Sequence, residues 1–234
     1  MEGNTGIILM IHGGGFVTGY DGQMLEAAYY LVKKGFDAVL VNYRLAPENP
    51  FPIGAEDCFS VYLELLKQYS HNKIVVFGGS AGGNLALSTA LQAKSKAIPL
   101  PACVVAVAPT VAYDQDFPSH KENVGTDCML GESFDLEIRE MYLQSEQEDV
   151  LHNPFAAPYY GDWENMMPVY LSFSDSEVLR DDSIYLADKL KEANVPYVLN
   201  VYHKKMHTFQ LVPVLPEAKE ALSDMVQFMK KYTK

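Results

Sequence analysis

The stretch Ile74-Val75-Val76-Phe77-Gly78-Gly79-Ser80-Ala81-Gly82-Gly83-Asn84 decides how this chain is read. An apolar, β-branched run gives way to small residues and then to a small-residue stretch, 84–93, with helical character. A serine in so tight a strand-to-helix turn takes strained backbone angles, tolerable only where its neighbours lack bulk. It is thereby pushed out at the top of a parallel sheet, where a base reaches it. Gly78 and Gly82 supply the lack of bulk, so Ser80 reads as a nucleophile in a Gly-x-Ser-x-Gly elbow. Over five residues alone, a glycine-rich turn with an incidental serine fits equally well. The remainder of the chain breaks that tie.

Outward from the elbow, short apolar runs alternate with longer amphipathic ones. Residues 6–11, 38–43, 74–77, 102–108, 169–173 and 197–202 read as strands, nearly all apolar throughout, as strands covered on both faces are. Helices are expected at 22–34, which stops at Gly35, and at 54–69, where Phe59, Tyr62, Leu63 and Leu66 fall at helical spacing. Further helices are expected at 81–93, 181–192 and 216–232. Such alternation implies an α/β fold, a mostly parallel sheet with helices on both faces, whose sites lie at the carboxyl ends of strands. One interval breaks the pattern. Residues 110–165 are polar and irregular, with Pro118, Gly125, Gly131, Pro154 and Pro158 and one expected helix at 134–143. An insertion of that length between core strands is expected to be a lid or substrate-shaping segment of a single catalytic domain, 1–234.

Composition narrows the function classes. The chain has 234 residues, 48% of them hydrophobic, enough for one sizeable core. A net charge of -12 argues against nucleic acid or an anionic membrane surface as partner, because both require a basic face. Cys58, Cys103 and Cys128 are odd in number and widely spaced, so neither a disulfide framework nor a metal site is expected. The run 7–11 is too short to span a membrane, and the start lacks a basic leader with a long apolar stretch; no stable membrane insertion and a cytoplasmic location are the expectation.

A second motif, Ile11-His12-Gly13-Gly14-Gly15-Phe16, ends the first expected strand. Consecutive glycines leave backbone N–H groups uncovered, and two that converge hold a negative oxygen. This turn therefore reads as an oxyanion hole, with the N–H of Ala81 as a further donor. A nucleotide-binding reading fails, because the glycines are contiguous and no P-loop lysine follows. Among the histidines, His71, His120 and His152 read as surface residues, and His12 as part of the glycine turn. His203 and His207 both follow the last expected strand; His207 is favoured as the base, since His203 still has strand geometry. The acid that orients the imidazole then lies after the strand 169–173, in Ser174-Asp175-Ser176-Glu177-Val178-Leu179-Arg180-Asp181-Asp182. Asp181 and Asp182 are expected to serve the positive end of the following helix. Asp175 and Glu177 remain, and chemistry alone does not separate them.

Taken together, His12 to Phe16, Tyr43-Arg44-Leu45-Ala46-Pro47-Glu48 with Pro50-Phe51-Pro52, the elbow, Leu179 to Asp182 and His207-Thr208-Phe209 resemble the hormone-sensitive-lipase-like family of α/β-hydrolase carboxylesterases, in family order. The resemblance implies the α/β-hydrolase fold and places the catalytic acid two residues before the leucine that precedes the aspartate pair. That is Glu177, with Asp175 as the alternative acid. It also implies oxyanion donors at Gly14, Gly15 and Ala81, with Gly13 their neighbour, and a structural role for 43–52. Gly79 departs from the family, which usually carries aspartate there. The chain also starts almost on the strand leading to His12, so about six strands are expected, without the family's N-terminal strands and cap helices. The strand at 38–43 should then lie on an uncovered edge, where pairing with a second copy, a homo-oligomer, or loss of stability is expected.

The expected reaction is hydrolysis of a small-molecule ester with a short acyl chain, through an acyl-enzyme and without metal or cofactor. A carbohydrate acetyl esterase and an amidase would use the same residues. A ligand-binding protein on a hydrolase scaffold would not need all three of Ser80, Glu177 and His207.

Overall fold

The computed structural model describes residues 5–19, 22–131 and 133–234. Among these residues six strands form one sheet: β1 (Gly6–Ile11), β2 (Phe36–Val41), β3 (Ile74–Gly79), β4 (Cys103–Val107), β5 (Val169–Ser174) and β6 (Tyr197–Tyr202). Every pairing is parallel, in the order β2-β1-β3-β4-β5-β6. The principal helices are α1 (Gly22–Val32), α2 (Ile53–Leu66) and α3 (Ala81–Ser95). Three short turns of helix follow in the insertion, α4 (Ser119–Glu122), α5 (Phe134–Ile138) and α6 (Glu148–Leu151), and then α7 (Arg180–Glu192) and α8 (Pro216–Tyr232).

Strand side chains alternate between two apolar clusters, one on each face of the sheet. Ile7, Leu9 and Ile11 of β1 pack with α2, α3 and α7, whereas Ile8 and Met10 pack with α1 and α8. This period of two explains why the four central strands read as continuous apolar runs: each residue finds a core, whichever way it points. The two edge strands depart from that expectation. In β2 only Phe36 and Val41 are buried, and in β6 no residue is, because each edge has a neighbour on one side only. The edge position of β2 agrees with expectation, but the strand starts and ends two residues earlier than the apolar run indicated. Pairing sets those bounds: Gly6 lies opposite Phe36, so Asp37 enters the sheet and Tyr43 leaves it.

α3 is buried from Ala81 through Ala93, which its small residues permit. A Cβ on Gly82 would strike the carbonyls of Ile11 and His12, and one on Gly83 would lie 3.0 Å from Pro109 Cβ. These glycines bring α3 against β1 and fix the elbow beside the glycine turn.

The interval 110–165 is both core and cover. Ala112, Tyr113, Ala157 and Trp163 near its ends are buried in the main cluster, and Met129, Leu130, Phe134, Ile138 and Met141 line a cavity above the sheet. The helix expected at 134–143 is a single turn of α-helix followed by a π-helical turn over Arg139–Leu143. Among the described residues, no helix is long and apolar enough to cross a membrane, and no cluster of side chains suits a metal ion.

Candidate active site

The sheet reverses its chain order at β1, which pairs β2 on one side and β3 on the other, and ligands of open α/β sheets sit at such a switch point. Register places Ile11 opposite Gly78, so His12 to Gly15 leave β1 beside the residue that begins the elbow. Ser80 has φ 56° and ψ -125°, a strained conformation for a residue with a side chain. Its N–H donates to Val107 O at 2.8 Å and its carbonyl accepts from Asn84 N–H at 3.1 Å, so both neighbouring elements hold the strain in place. A Cβ on Gly78 would run into the Gly82 carbonyl, and one on Gly13 would lie 3.2 Å from Ser80 Cβ. Lack of bulk at 78, 82 and 13 is therefore what lets this serine stand here.

Within the glycine turn, Gly14 (φ 99°) and Gly15 (φ 59°) take left-handed conformations. The Gly14 carbonyl accepts from the N–H groups of Val17 and Thr18 at 3.0 Å each, which folds the turn back on itself. No hydrogen bond engages the N–H groups of Gly13, Gly14, Gly15 or Ala81 among the described residues. Behind the turn, the His12 ring stacks on Tyr43 at 4.2 Å, and the Tyr43 hydroxyl donates to His12 O at 3.1 Å. Burial pushes the Tyr43 phenol well above its ordinary range, keeping it a donor. Tyr43 thus braces the glycine turn from below, in keeping with the structural role expected for 43–52.

The two acids and the two histidines weighed from sequence form two separate pairs, one of them joining Glu177 and His207, the pair favoured there. Glu177 Oε2 meets His207 Nδ1 at 2.6 Å, and both side chains are buried, at 1% and 3% exposure. Asp175 Oδ2 meets His203 Nδ1 at 2.7 Å with exposures of 39% and 74%. The Lys204 N–H, at 2.9 Å, and His203 together hold the Asp175 carboxyl below its usual range. In the buried pair, Glu177 Oε1 accepts the Ser174 N–H at 2.7 Å, which folds the side chain back over its own turn. The other ring nitrogen, His207 Nε2, is buried without a hydrogen-bond partner among the described residues. His207 and Ser80 line one cavity of about 490 Å³ together with Gly13, Gly14 and Gly15. Ser80 and His207 do not hydrogen-bond to each other.

Several residues that sequence reading passed over hold the acid loop from the insertion. Asn123 Nδ2 donates to the carbonyls of Glu177 at 2.8 Å and Asp175 at 3.1 Å. Asp127 Oδ2 accepts the Val178 N–H at 2.8 Å, and Thr126 Oγ1 donates to Ser176 O at 2.9 Å. Each contact spans about fifty positions of sequence, so no local pattern announces it. The aspartate pair lies in the first turn of α7, as expected, and has a further role. Asp182 Oδ1 accepts the Val111 N–H and Asp181 Oδ2 the Ser119 N–H, both at 2.8 Å, so these carboxylates also tie down the insertion. His120, read as a surface residue, lies against buried Asp182 at 2.6 Å with only 10% of its side chain exposed.

Burial opposes ionisation of Asp181, but Arg180 Nε at 2.7 Å and the Ser119 N–H outweigh it and hold its carboxyl below the usual range. A lowered native pKa contributes stability that is full above the unfolded value of ~3.9 and is lost as pH falls through the native value. Asp181→Asn should therefore lower Tm by roughly 3–6 °C at pH 7, on the scale of a lost charged hydrogen bond. In thermal melts down to pH 2.5 the gap to wild type should close; a gap independent of pH would mean that the charge is not what matters.

Known proteins resemble this chain over most of its length. The family model described as alpha/beta hydrolase fold matches residues 8–211. Among curated relatives, the "Acetyl-hydrolase" of Streptomyces hygroscopicus is 28% identical over 99% of this chain and 77% of its own length. "Esterase LipI" of Mycobacterium tuberculosis is 31% identical over 92% of this chain and 69% of its own. Among solved structures, a hormone-sensitive lipase from a metagenome library superposes with a TM-score of 0.93 at 28% identity, covering 99% of this chain and 78% of that one. An esterase of the bacterial hormone-sensitive lipase family does so with a TM-score of 0.92 at 29% identity, with the same coverage. With the elbow, the glycine turn and the switch-point cavity arranged as described, the chain belongs to the hormone-sensitive-lipase-like family of α/β-hydrolase carboxylesterases.

Proposed function

We propose that this carboxylic ester hydrolase works through Ser80 as nucleophile, His207 as base and Glu177 as acid partner, on small neutral esters with short acyl chains. The observation that carries the reading is the buried Glu177–His207 pair, whose imidazole leaves its second nitrogen without a hydrogen-bond partner in a residue that lines the same cavity as Ser80. A carboxylate at Nδ1 fixes the tautomer with Nε2 as acceptor and stabilises the imidazolium that forms. Ser80 Oγ attacks the ester carbonyl carbon while Nε2 takes its proton. The tetrahedral oxyanion is met by the unengaged N–H groups of the glycine turn and of Ala81. Collapse breaks the carbon–alkoxy bond, and the imidazolium returns its proton to the leaving alcohol. Water, deprotonated by His207, then attacks the acyl-Ser80 and frees the acid.

A cavity of about 490 Å³ accommodates a small ester, and one relative bears the name acetyl-hydrolase. In this reading the chain is one catalytic domain, and Met129, Leu130, Phe134, Ile138 and Met141 are the residues through which the insertion 110–165 acts as a lid. The test is covalent labelling by a fluorophosphonate, followed by rates on aryl esters from acetyl to decanoyl. Labelling at Ser80 and a maximum kcat/KM between acetyl and butyryl are expected. Labelling at another serine, or rates that climb through decanoyl, would count against the assignment.

A further inference from the structure

We propose that Leu211, lodged against Gly79, sets the size of the apolar substrate group this enzyme accepts; the inference rests on the esterase reading above. Glycine stands before the nucleophile where the family resemblance leads one to expect aspartate. The vacated volume is filled: a Cβ built on Gly79 would stand 2.8 Å from Leu211 Cδ1 and 3.6 Å from Thr208 Cγ2. The φ of Gly79 is not in the left-handed region, so its backbone would accept a side chain, and among the described residues Leu211 is the one it would strike.

Leu211 is also a wall of the site. Gly79, Ser80, Thr208 and Leu211 line the same cavity. Its N–H donates to Thr208 O at 2.9 Å, within the 3-10 turn Phe209–Leu211 that begins two residues after His207. The isobutyl group packs in the apolar cluster that includes Met24 and Phe209, and only 5% of the residue is exposed. A methyl surface therefore stands beside the nucleophile where a carboxylate would otherwise be, and its reach depends on how far Gly79 lets it retreat. Such a wall favours an uncharged substituent and limits its length, because space for each methylene in an apolar pocket changes kcat/KM by about 10-fold or more.

Four variants test this: Leu211→Ala, Leu211→Phe, Gly79→Ala and the double variant Gly79→Ala/Leu211→Ala. Each is measured for kcat/KM on p-nitrophenyl acetate, butyrate and octanoate, and on methyl and benzyl acetate. Leu211→Ala should raise the large-to-small ratio in one of the two series about 10-fold or more, and Leu211→Phe should lower it. Gly79→Ala should lower the same ratio by pushing the Leu211 methyl into the cavity. The double variant should not show that loss, because no methyl remains to be displaced. Near-UV circular dichroism checks folding; if Leu211→Ala does not fold, Leu211→Val takes its place with a smaller shift in the same direction. Wild-type ratios in both series for every folded variant would overturn the proposal, as would strictly independent effects of the two positions. Failure of the esterase reading looks different: the wild-type chain itself would then cleave none of the five esters, and the inference would fall with it.

Discussion

Replacing Ser80 with alanine is expected to lower kcat on p-nitrophenyl acetate by roughly 10⁴–10⁶, and His207→Ala by a similar factor. The two losses should not add, because a nucleophile without its base and a base without its nucleophile fail at the same step. His203→Ala is the control, since its ring is 74% exposed and paired outside the cavity. Alanine at position 80 keeps the strained φ of 56° and removes only a hydroxyl, so Tm should stay within about 2 °C of wild type. Stopped assays on purified, melted-and-verified proteins read both quantities. Comparable losses for His203→Ala and His207→Ala would undo the choice of base, and an active Ser80→Ala would undo the elbow.

How much of this was legible beforehand follows from the range over which each feature is encoded. The elbow is largely local: strand, Gly78, Gly82, serine and helix start all lie within 74–84, and only the close approach of Gly13 comes from another segment. The glycine turn is equally local, and the parallel sheet follows from central strands that bury both faces. The edge strand β2 was less legible, whereas the bounds of β6 matched the expected run. β2 takes Asp37 into the sheet because Ile7 pairs with it, a fact that no apolar run announces. The insertion was least legible, since its role is written in contacts such as Asn123 to Glu177 and Ser119 to Asp181, each between distant segments. An aspartate pair at a helix start reads as favouring the helix dipole; that both side chains reach outward to backbone N–H groups depends on where the insertion returns.

The acid assignment shows the same limit at its sharpest, and Glu177→Gln is the substitution that probes it. The loops after β5 and β6 hold two acids and two histidines, and residue chemistry alone does not say which nitrogen each carboxylate faces; only the family resemblance singled out Glu177. In the structure, the Asp175 N–H continues the sheet ladder to Tyr202 O at 2.9 Å, which leaves its side chain outside with Lys204 and His203. Glu177, one turn further on, is drawn inward by the Ser174 N–H and meets His207 out of water. Glutamine preserves the shape and keeps an acceptor, but it removes the charge that stabilises the imidazolium and permits the wrong tautomer. A loss of roughly 10³ or more in kcat is expected, by analogy with the aspartate-to-asparagine change in serine-protease triads. Asp175→Asn alters an exposed pair whose worth is at most ~1 kcal/mol, so its effect should stay within about fivefold. Steady-state kinetics on the two variants, with fluorophosphonate labelling rates to isolate the first step, decide between the acids. A large loss at Asp175 with a small one at Glu177 would make the exposed pair the functional one. The buried carboxylate would then be holding His207 for packing alone.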